Sequence, residues 1–150
     1  MSTDAGSPLR LTIPDIAARK SSAGKGAPLV MITAYDVVSA RLADRAGADL
    51  LLVGDSLGMV VLGRENTLAV TVDEVLHHAR AVAAAKPRAV MVGDMPFLSY
   101  HVSVPEAVRN AGRLISQGGC QAVKVEGGRR CLPTIERLLA ADIPVMGHLA

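Results

Sequence analysis

Four side chains capable of acid–base or metal chemistry follow predicted strands at regular steps. They are Asp55, Asp94, Glu126 and His148. The three acids are separated by steps of 39 and 32 residues, which suit the length of one βαβ unit. In a parallel sheet the carboxyl ends of all strands lie on one side, so we expect these side chains to converge at one site.

Carboxylates gathered without cysteine ligands suit a hard divalent cation, and Asp55, Asp94 and Glu126 are therefore candidate Mg²⁺ ligands. Lys124 lies two residues before Glu126, on the same face of its strand, where it could meet an anionic substrate. Ser56 follows Asp55 directly and offers a hydroxyl. That hydroxyl could equally bond the local turn.

Each of these residues also has a purely structural interpretation. An Asp after a strand is often the N-cap of the next helix, and for Asp36 this is the better interpretation. For Asp55 and Asp94 the next predicted helix starts too many residues later for capping, which favours function. Glu126 could be a loop charge, and a histidine near a terminus, such as His148, usually has no special role. Taken together, their shared placement after strands favours a site.

Short apolar runs predict the strands that would position these residues. The run Leu50–Val53 is uninterrupted and closed by Gly54, the pattern of a strand buried on both faces. Similar runs predict strands at residues 28–33, 88–93, 120–125 and 143–146.

Helix signals lie between the predicted strands. On the second helix Val38, Leu42 and Ala46 share one face, and Gly47 would end it. Capping residues introduce four helices, namely Thr12, Asp36, Thr71 with Glu74, and Ser103 with Glu106, and residues 132–139 mark another.

The order of elements is a βα unit repeated four times plus a fifth strand, which predicts a parallel α/β sheet covered by helices. We expect residues 1–27 to form a tail, a short helix and a loop. Residues 28–150 would form part of a single α/β domain.

Composition excludes several classes of protein. The chain has 150 residues, half of them hydrophobic, and a net charge of only +2, with little aromatic content to support nucleic-acid binding. No apolar run approaches the ~20 residues of a membrane span, and a signal-peptide pattern is missing. Cys120 and Cys131 lack metal or redox spacing, so we expect reduced thiols in a cytoplasmic protein.

Six segments of the chain resemble the ketopantoate hydroxymethyltransferase family, in that family's order and spacing. The combination of GDSLGM, DMPF and VKVEGG is specific. The segments are ITAYD (residues 32–36), VGDSLGMVVLG (53–63), TLAVTVDE (67–74), GDMPFLSY (93–100), VKVEGG (123–128) and PVMGHL (144–149).

The resemblance implies a (βα)₈ TIM barrel, of which this chain supplies about the first four βα units plus strand five. It also implies Mg²⁺, with methylenetetrahydrofolate as the one-carbon donor. The substrate would be the α-keto acid α-ketoisovalerate, the product ketopantoate, and the assembly a homo-oligomer. The reaction would be the first step of pantothenate synthesis.

The resemblance also implies roles for individual residues. Asp55 and Asp94 would be metal ligands, with Glu126 close to the metal or holding its waters. Ser56 and Lys124 would bind the ketoacid carboxylate, and His148 would line the same pocket.

The family's catalytic base is a glutamate expected beyond Ala150, so we assign no catalytic base in this chain and expect the chain to be a fragment. Two other interpretations stay open. One is another Mg²⁺-dependent α-keto acid barrel enzyme, related to phosphoenolpyruvate mutase or isocitrate lyase. The other is a non-catalytic half-barrel that needs a partner.

Overall fold

Within residues 9–21 and 28–149, five parallel strands pair in sequence order to form one sheet. The computed structural model describes residues 9–21 and 28–149, without the side chains of Lys20 and Ser21. The predicted tail at residues 1–8 lies outside the described residues, and so does the predicted loop at 21–27 except Ser21, which ends the first helix. The strands are β1 (Met31–Thr33), β2 (Leu50–Val53), β3 (Val90–Asp94), β4 (Ala122–Glu126) and β5 (Val145–His148).

Helices connect the strands and precede the first of them. They are α1 (Ile13–Ser21), α2 (Val37–Arg45), the short α3 (Leu57–Val60), α4 (Val72–Ala83), α5 (Val104–Ser116) and α6 (Leu132–Leu139), and α6 follows a 3₁₀ turn at Gly128–Cys131. None of the helices within the described ranges has the length and apolar character that crossing a lipid bilayer requires.

The predicted strands are confirmed, but most are displaced toward their carboxyl ends. Asp94, Glu126 and His148 are the last residues of their strands rather than residues beyond them. The Met95 N–H still donates to the Lys124 carbonyl at 3.0 Å, and Glu126 pairs with His148 between the last two strands. These three side chains are therefore held by the sheet itself and not by loops.

Side-chain caps fix the helix starts, as the sequence predicts. Asp36 Oδ1 accepts hydrogen bonds from the N–H groups of Val38 and Ser39 at 2.7 and 2.8 Å. Thr71 and Glu74 form a reciprocal capping box at the start of α4. Such caps satisfy N–H groups that have no partner within the helix, and each contributes about 1 kcal/mol.

One element corrects the sequence analysis. We expected no helix close behind Asp55, but α3 begins at Leu57, two residues later. Its first turn forms through backbone bonds, in which the N–H groups of Leu57 and Gly58 donate to the Gly54 and Asp55 carbonyls at 3.1 and 2.9 Å. No side chain caps this helix, so the Asp55 carboxylate is not used as its cap.

The two faces of the sheet pack against different layers. One face, with Leu51, Met91 and Val123, packs against the helices in the larger buried cluster. The opposite face carries Leu50, Val90, Val92 and Ala122, against which Ile13 and Ile16 of α1 pack. Because side chains alternate along a strand, Asp94 and Lys124 continue this second face at its carboxyl end.

Helix α2 contacts the sheet through small side chains. Ala40 and Ala43 are buried, whereas Val38 and Leu42 are each more than 60% exposed. The apolar face seen in the sequence therefore points away from the described core, because the two alanines allow the helix backbone to approach the sheet closely.

Both cysteines are free and buried, as the sequence analysis expects of reduced thiols. Burial raises the pKa of the Cys120 thiol to about 12. A thiol with so high a pKa is a poor nucleophile at neutral pH.

Candidate active site

The six predicted site residues meet at the carboxyl end of the sheet. A cavity of about 400 Å³, the Lys124 cavity, opens there. Asp55, Ser56, Asp94, Lys124 and His148 line it together with Met31, Leu52, Met146 and Gly147. The sixth residue, Glu126, reaches it through its bonds to Lys124 and His148.

Lys124 lies between two carboxylates. Its Nζ is 2.8 Å from Asp94 Oδ1 and 2.7 Å from Glu126 Oε1. Asp94 and Lys124 are register partners in the parallel pairing of β3 with β4. The strand register therefore positions the ammonium, whose side chain is only 12% exposed.

Burial and the oppositely charged neighbours shift the pKa values of Asp94 and Lys124 in opposite directions. Burial raises the pKa of the Asp94 carboxyl, the Lys124 ammonium opposes that rise, and the nearby Asp55 charge adds to it. Burial also works to lower the pKa of Lys124, but its bonds to Asp94 and Glu126 outweigh burial and raise it. Lys124 is therefore a cation at neutral pH and can meet an anion in the cavity.

Glu126 joins Lys124 to the last strand. Its Oε1 lies 2.6 Å from His148 Nδ1, and the two residues are register partners between β4 and β5. The hydrogen bonds from Lys124 and His148 lower the pKa of the Glu126 carboxyl. The Glu126 N–H donates to Tyr100 Oη at 3.3 Å, which ties the strand end to a buried ring.

Ser56 is held by a tyrosine that the sequence analysis did not assign. Tyr35 Oη lies 2.8 Å from Ser56 Oγ. The Tyr35 carbonyl accepts a hydrogen bond from His78 Nδ1 at 2.8 Å, which fixes the start of α2 against α4. Tyr35 and Tyr100 both lie inside the segments that carry the family resemblance, and that position is the only sequence feature that could have pointed to a role for them.

The donor set fits a magnesium ion held by two protein ligands. Asp55 and Asp94 supply hard oxygen donors, and the Asp55 N–H donates to Asp94 Oδ2 at 3.3 Å, so the two residues are adjacent. Across the described ranges no three His, Cys, Asp or Glu side chains are grouped to hold a metal by themselves. Mg²⁺ commonly takes one or two carboxylates and fills its remaining positions with water and substrate.

A larger cavity of about 650 Å³ lies at the opposite end of the sheet and includes Arg10, Asp44 and Arg88. Its acid is already bonded, because Asp44 accepts from the backbone N–H groups of Arg88 and Ala89 at 3.1 and 2.8 Å. These bonds are structural, so the chemistry belongs to the carboxyl end.

Comparison with known proteins identifies the family of the chain. A family model described as Ketopantoate hydroxymethyltransferase matches residues 10–150. The chain belongs to this family. A 3-methyl-2-oxobutanoate hydroxymethyltransferase from Moorella thermoacetica is 56% identical over 140 residues, which cover 93% of this chain and 51% of that protein. One from Syntrophomonas wolfei is 59% identical over 119 residues, covering 79% and 43%. The chain thus spans about half the length of the curated relatives that it matches.

Comparison with solved structures identifies the fold. A 2,3-dimethylmalate lyase of the PEP mutase/isocitrate lyase superfamily superimposes with a TM-score of 0.62 at 19% identity, covering 88% of this chain and 51% of that one. A phosphonopyruvate hydrolase, solved in complex with oxalate and magnesium, gives 0.59 at 14% identity, covering 73% and 38%. At these identities the likeness shows the fold alone. It confirms the predicted part of a (βα)₈ barrel.

Proposed function

We propose that the protein containing this chain transfers a hydroxymethyl group from methylenetetrahydrofolate to α-ketoisovalerate. The product is ketopantoate (2-dehydropantoate), and the reaction is the first step of pantothenate synthesis. The observation that carries this proposal is the buried Lys124 ammonium beside Asp55, Asp94 and Ser56 in one cavity. Membership of the family supports the choice of reaction.

The ketoacid carboxylate binds to Lys124 and Ser56. Lys124 is charged and faces the cavity, and Ser56 Oγ has its orientation fixed by Tyr35. Glu126 is about half exposed, so it can release Lys124 when an incoming carboxylate competes for the ammonium. His148 lines the same cavity and stays bonded to Glu126.

Asp55 and Asp94 hold Mg²⁺ directly, and Glu126 acts near the metal through water. The adjacency of the first two carboxylates and the rise in the Asp94 pKa support this assignment, because a cation would compensate the buried charge of Asp94 and its repulsion by Asp55. When bound, Mg²⁺ supplies Lewis-acid stabilisation of the charge that develops on the keto oxygen. We assign none of these residues as the base that removes the proton next to the carbonyl.

A second candidate is another Mg²⁺-dependent α-keto acid enzyme with a related barrel. The fold likeness to the dimethylmalate lyase favours it. It needs the same strand-end acids and the same stabilisation of charge on a keto oxygen. The two candidates differ in the second reactant, since only the transferase requires a one-carbon donor. The half-barrel that needs a partner predicts no turnover of either kind.

We further propose a cytoplasmic location and a homo-oligomeric assembly. The two buried free cysteines fit a reducing compartment. The exposed Val38 and Leu42 of α2 supply apolar surface that a neighbouring subunit or a further part of the barrel would cover.

The first experiment measures two reactions of the purified full gene product. One is Mg²⁺-dependent hydrogen–deuterium exchange at the carbon next to the keto group of α-ketoisovalerate, without folate. The other is ketopantoate formation with methylenetetrahydrofolate. We expect both reactions, and we expect Asp94→Asn to abolish both while Lys86→Met leaves them unchanged.

The competing proposals give other outcomes. Cleavage of 2,3-dimethylmalate without ketopantoate formation would favour the second candidate. Full transfer activity in Asp94→Asn would contradict the assignment of the metal.

A further inference from the structure

A second cavity adjoins the first, and we propose that it binds the reduced pterin ring of the one-carbon donor. This inference rests on the proposed function and assigns the site of its second substrate. The cavity measures about 370 Å³, and we call it the Phe97 cavity. Its lining residues are Asp55, Thr67, Leu68, Asp94, Met95, Phe97, Tyr100, His101, Glu126 and Gly127.

The two cavities meet at a shared wall. Asp55 and Asp94 line both of them. Transfer of a one-carbon unit joins two substrates at a single carbon atom, so the donor must bind within reach of the ketoacid. A ketoacid in the Lys124 cavity and a donor in the Phe97 cavity would meet beside these two carboxylates.

Three rings, those of Phe97, Tyr100 and His101, line the Phe97 cavity. The His101 and Tyr100 ring centroids are 4.1 Å apart and tilted by 31°, and those of His101 and Phe97 are 5.6 Å apart. Phe97 is about half exposed although it is a large apolar side chain. Exposed aromatic faces bind flat heterocycles by stacking, and a pterin is such a ring.

The two cavities differ in the charged residues that line them, and therefore in the ligand that each would bind. The described lining of the Phe97 cavity holds no lysine or arginine, whereas Lys124 lines the other cavity. Such a lining disfavours the carboxylate of a ketoacid. Glu126 lines the Phe97 cavity and is about half exposed, so its carboxylate can accept from a ring that presents N–H and amino donors. The pyrimidine half of a reduced pterin presents both.

Two hydrogen bonds hold the loop that carries the rings. Leu98 has φ of +64°, a region that side chains other than glycine seldom adopt. His101 Nδ1 accepts from the Leu98 N–H at 3.1 Å, which leaves the proton of a neutral ring on Nε2. The Ser99 carbonyl accepts from Asn110 Nδ2 at 2.8 Å, which attaches the loop to α5. Strain held in place by such contacts is a feature of preorganised binding loops.

The test measures the KM for each of the two substrates separately in the full gene product. Phe97→Ala and His101→Ala should each raise the KM for methylenetetrahydrofolate about tenfold, the loss expected for one stacking contact. The KM for α-ketoisovalerate should move less than about twofold, because Lys124 and Ser56 are untouched. His101→Phe, which keeps an aromatic ring, should restore most of the donor affinity. His77→Ala and Leu139→Ala, on exposed helix positions, are the matched controls.

Equilibrium binding of tetrahydrofolate, which carries no one-carbon unit, tests the site without turnover. Binding by the unaltered protein that Phe97→Ala weakens supports the site even if no ketopantoate forms, and in that case only the proposed function fails. No binding of tetrahydrofolate, an unchanged donor KM in both variants, or an equal rise in both KM values would each overturn the inference.

Discussion

The ammonium of Lys124 lies 2.8 Å from the carboxylate of Asp94 because the two residues are register partners in neighbouring parallel strands. Glu126 and His148 are related in the same way on the next pair of strands. The charged groups therefore stand in a row set by backbone hydrogen bonds. A site built on strands is held more accurately than one built on loops.

Lys124→Met should leave the Asp94 carboxylate buried without its cation. We expect a loss of about 3 kcal/mol in the free energy of unfolding near neutral pH, since removing one partner of a buried ion pair is costly. The loss should shrink as the pH is lowered from neutral toward 3.8, the ordinary pKa of an Asp carboxyl. Burial already raises the pKa of Asp94 and the loss of Lys124 raises it further, so the acid protonates in the folded state first. Urea unfolding at both pH values measures this, with the exposed Lys86→Met as control. A loss that is the same at both pH values would exclude Asp94 as its source.

Magnesium affinity should distinguish direct ligands from Glu126. We expect Asp55→Asn and Asp94→Asn each to weaken Mg²⁺ binding by more than about 100-fold, because each removes one of two charged ligands. Glu126→Gln should weaken binding by about tenfold at most, the effect of a group that acts through water. Calorimetric titration with MgCl₂ measures all three, and Glu65→Gln, an exposed acid on the loop before α4, is the control. Equal losses for the three acids would place Glu126 among the direct ligands.

Tyr35→Phe should impair ketoacid binding through Ser56. The substitution removes the 2.8 Å hydrogen bond that orients Ser56 Oγ. We expect the KM for α-ketoisovalerate to rise about fivefold, as for the loss of one hydrogen bond of about 1 kcal/mol. The double variant with Ser56→Ala should be no worse than Ser56→Ala alone, because both act on one contact. Additive effects would show that Tyr35 acts independently of Ser56.

Glu74→Gln should weaken the start of α4 in a pH-dependent way. Hydrogen bonds from Arg64 and from Thr71 lower the pKa of the Glu74 carboxyl to about 2 from 4.5. A carboxyl with a lowered pKa in the folded state stabilises the fold above its unfolded pKa and loses that effect as pH falls. The cost of about 1 kcal/mol near neutral pH should therefore disappear between pH 4.5 and about 2. Urea unfolding across this pH range measures the cost in the free energy of unfolding, with Glu65→Gln as the control. A cost that persists at about pH 2 would show that the Glu74 carboxylate is not its source.

Much of the fold is predictable because each strand has a local signal. The run Leu50–Val53 is a strand with the predicted bounds, and Asp36 and Thr71 cap their helices as predicted. The first strand starts later than its apolar run, because the Val30 N–H donates to the Asp49 carboxylate at 2.9 Å instead of a strand partner. Such a bond between residues 19 positions apart leaves no trace in a local pattern.

The convergence of the site is predictable from strand order, but the pairing within it is not. The family resemblance implies a ketoacid carboxylate as the partner of Lys124 and the metal or its waters as the partner of Glu126, and in the structure the two side chains bind each other. Tyr35 went unassigned because its contact with Ser56 depends on how α2 packs beside β2. The roles of these residues in metal and substrate binding stay predictions until the variants are measured.

The parallel register of β4 also determines where the chain can tolerate the insertion or deletion of a residue. Along β4, Val123 and Val125 are buried toward the helices while Lys124 between them faces the cavity. One residue inserted between Ala122 and Lys124 would exchange these two directions and place an ammonium among apolar side chains. An insertion after the 3₁₀ turn at Gly128–Cys131 would leave the strand as it is. Natural variation in length among relatives should therefore collect in the connections and be absent from the strand.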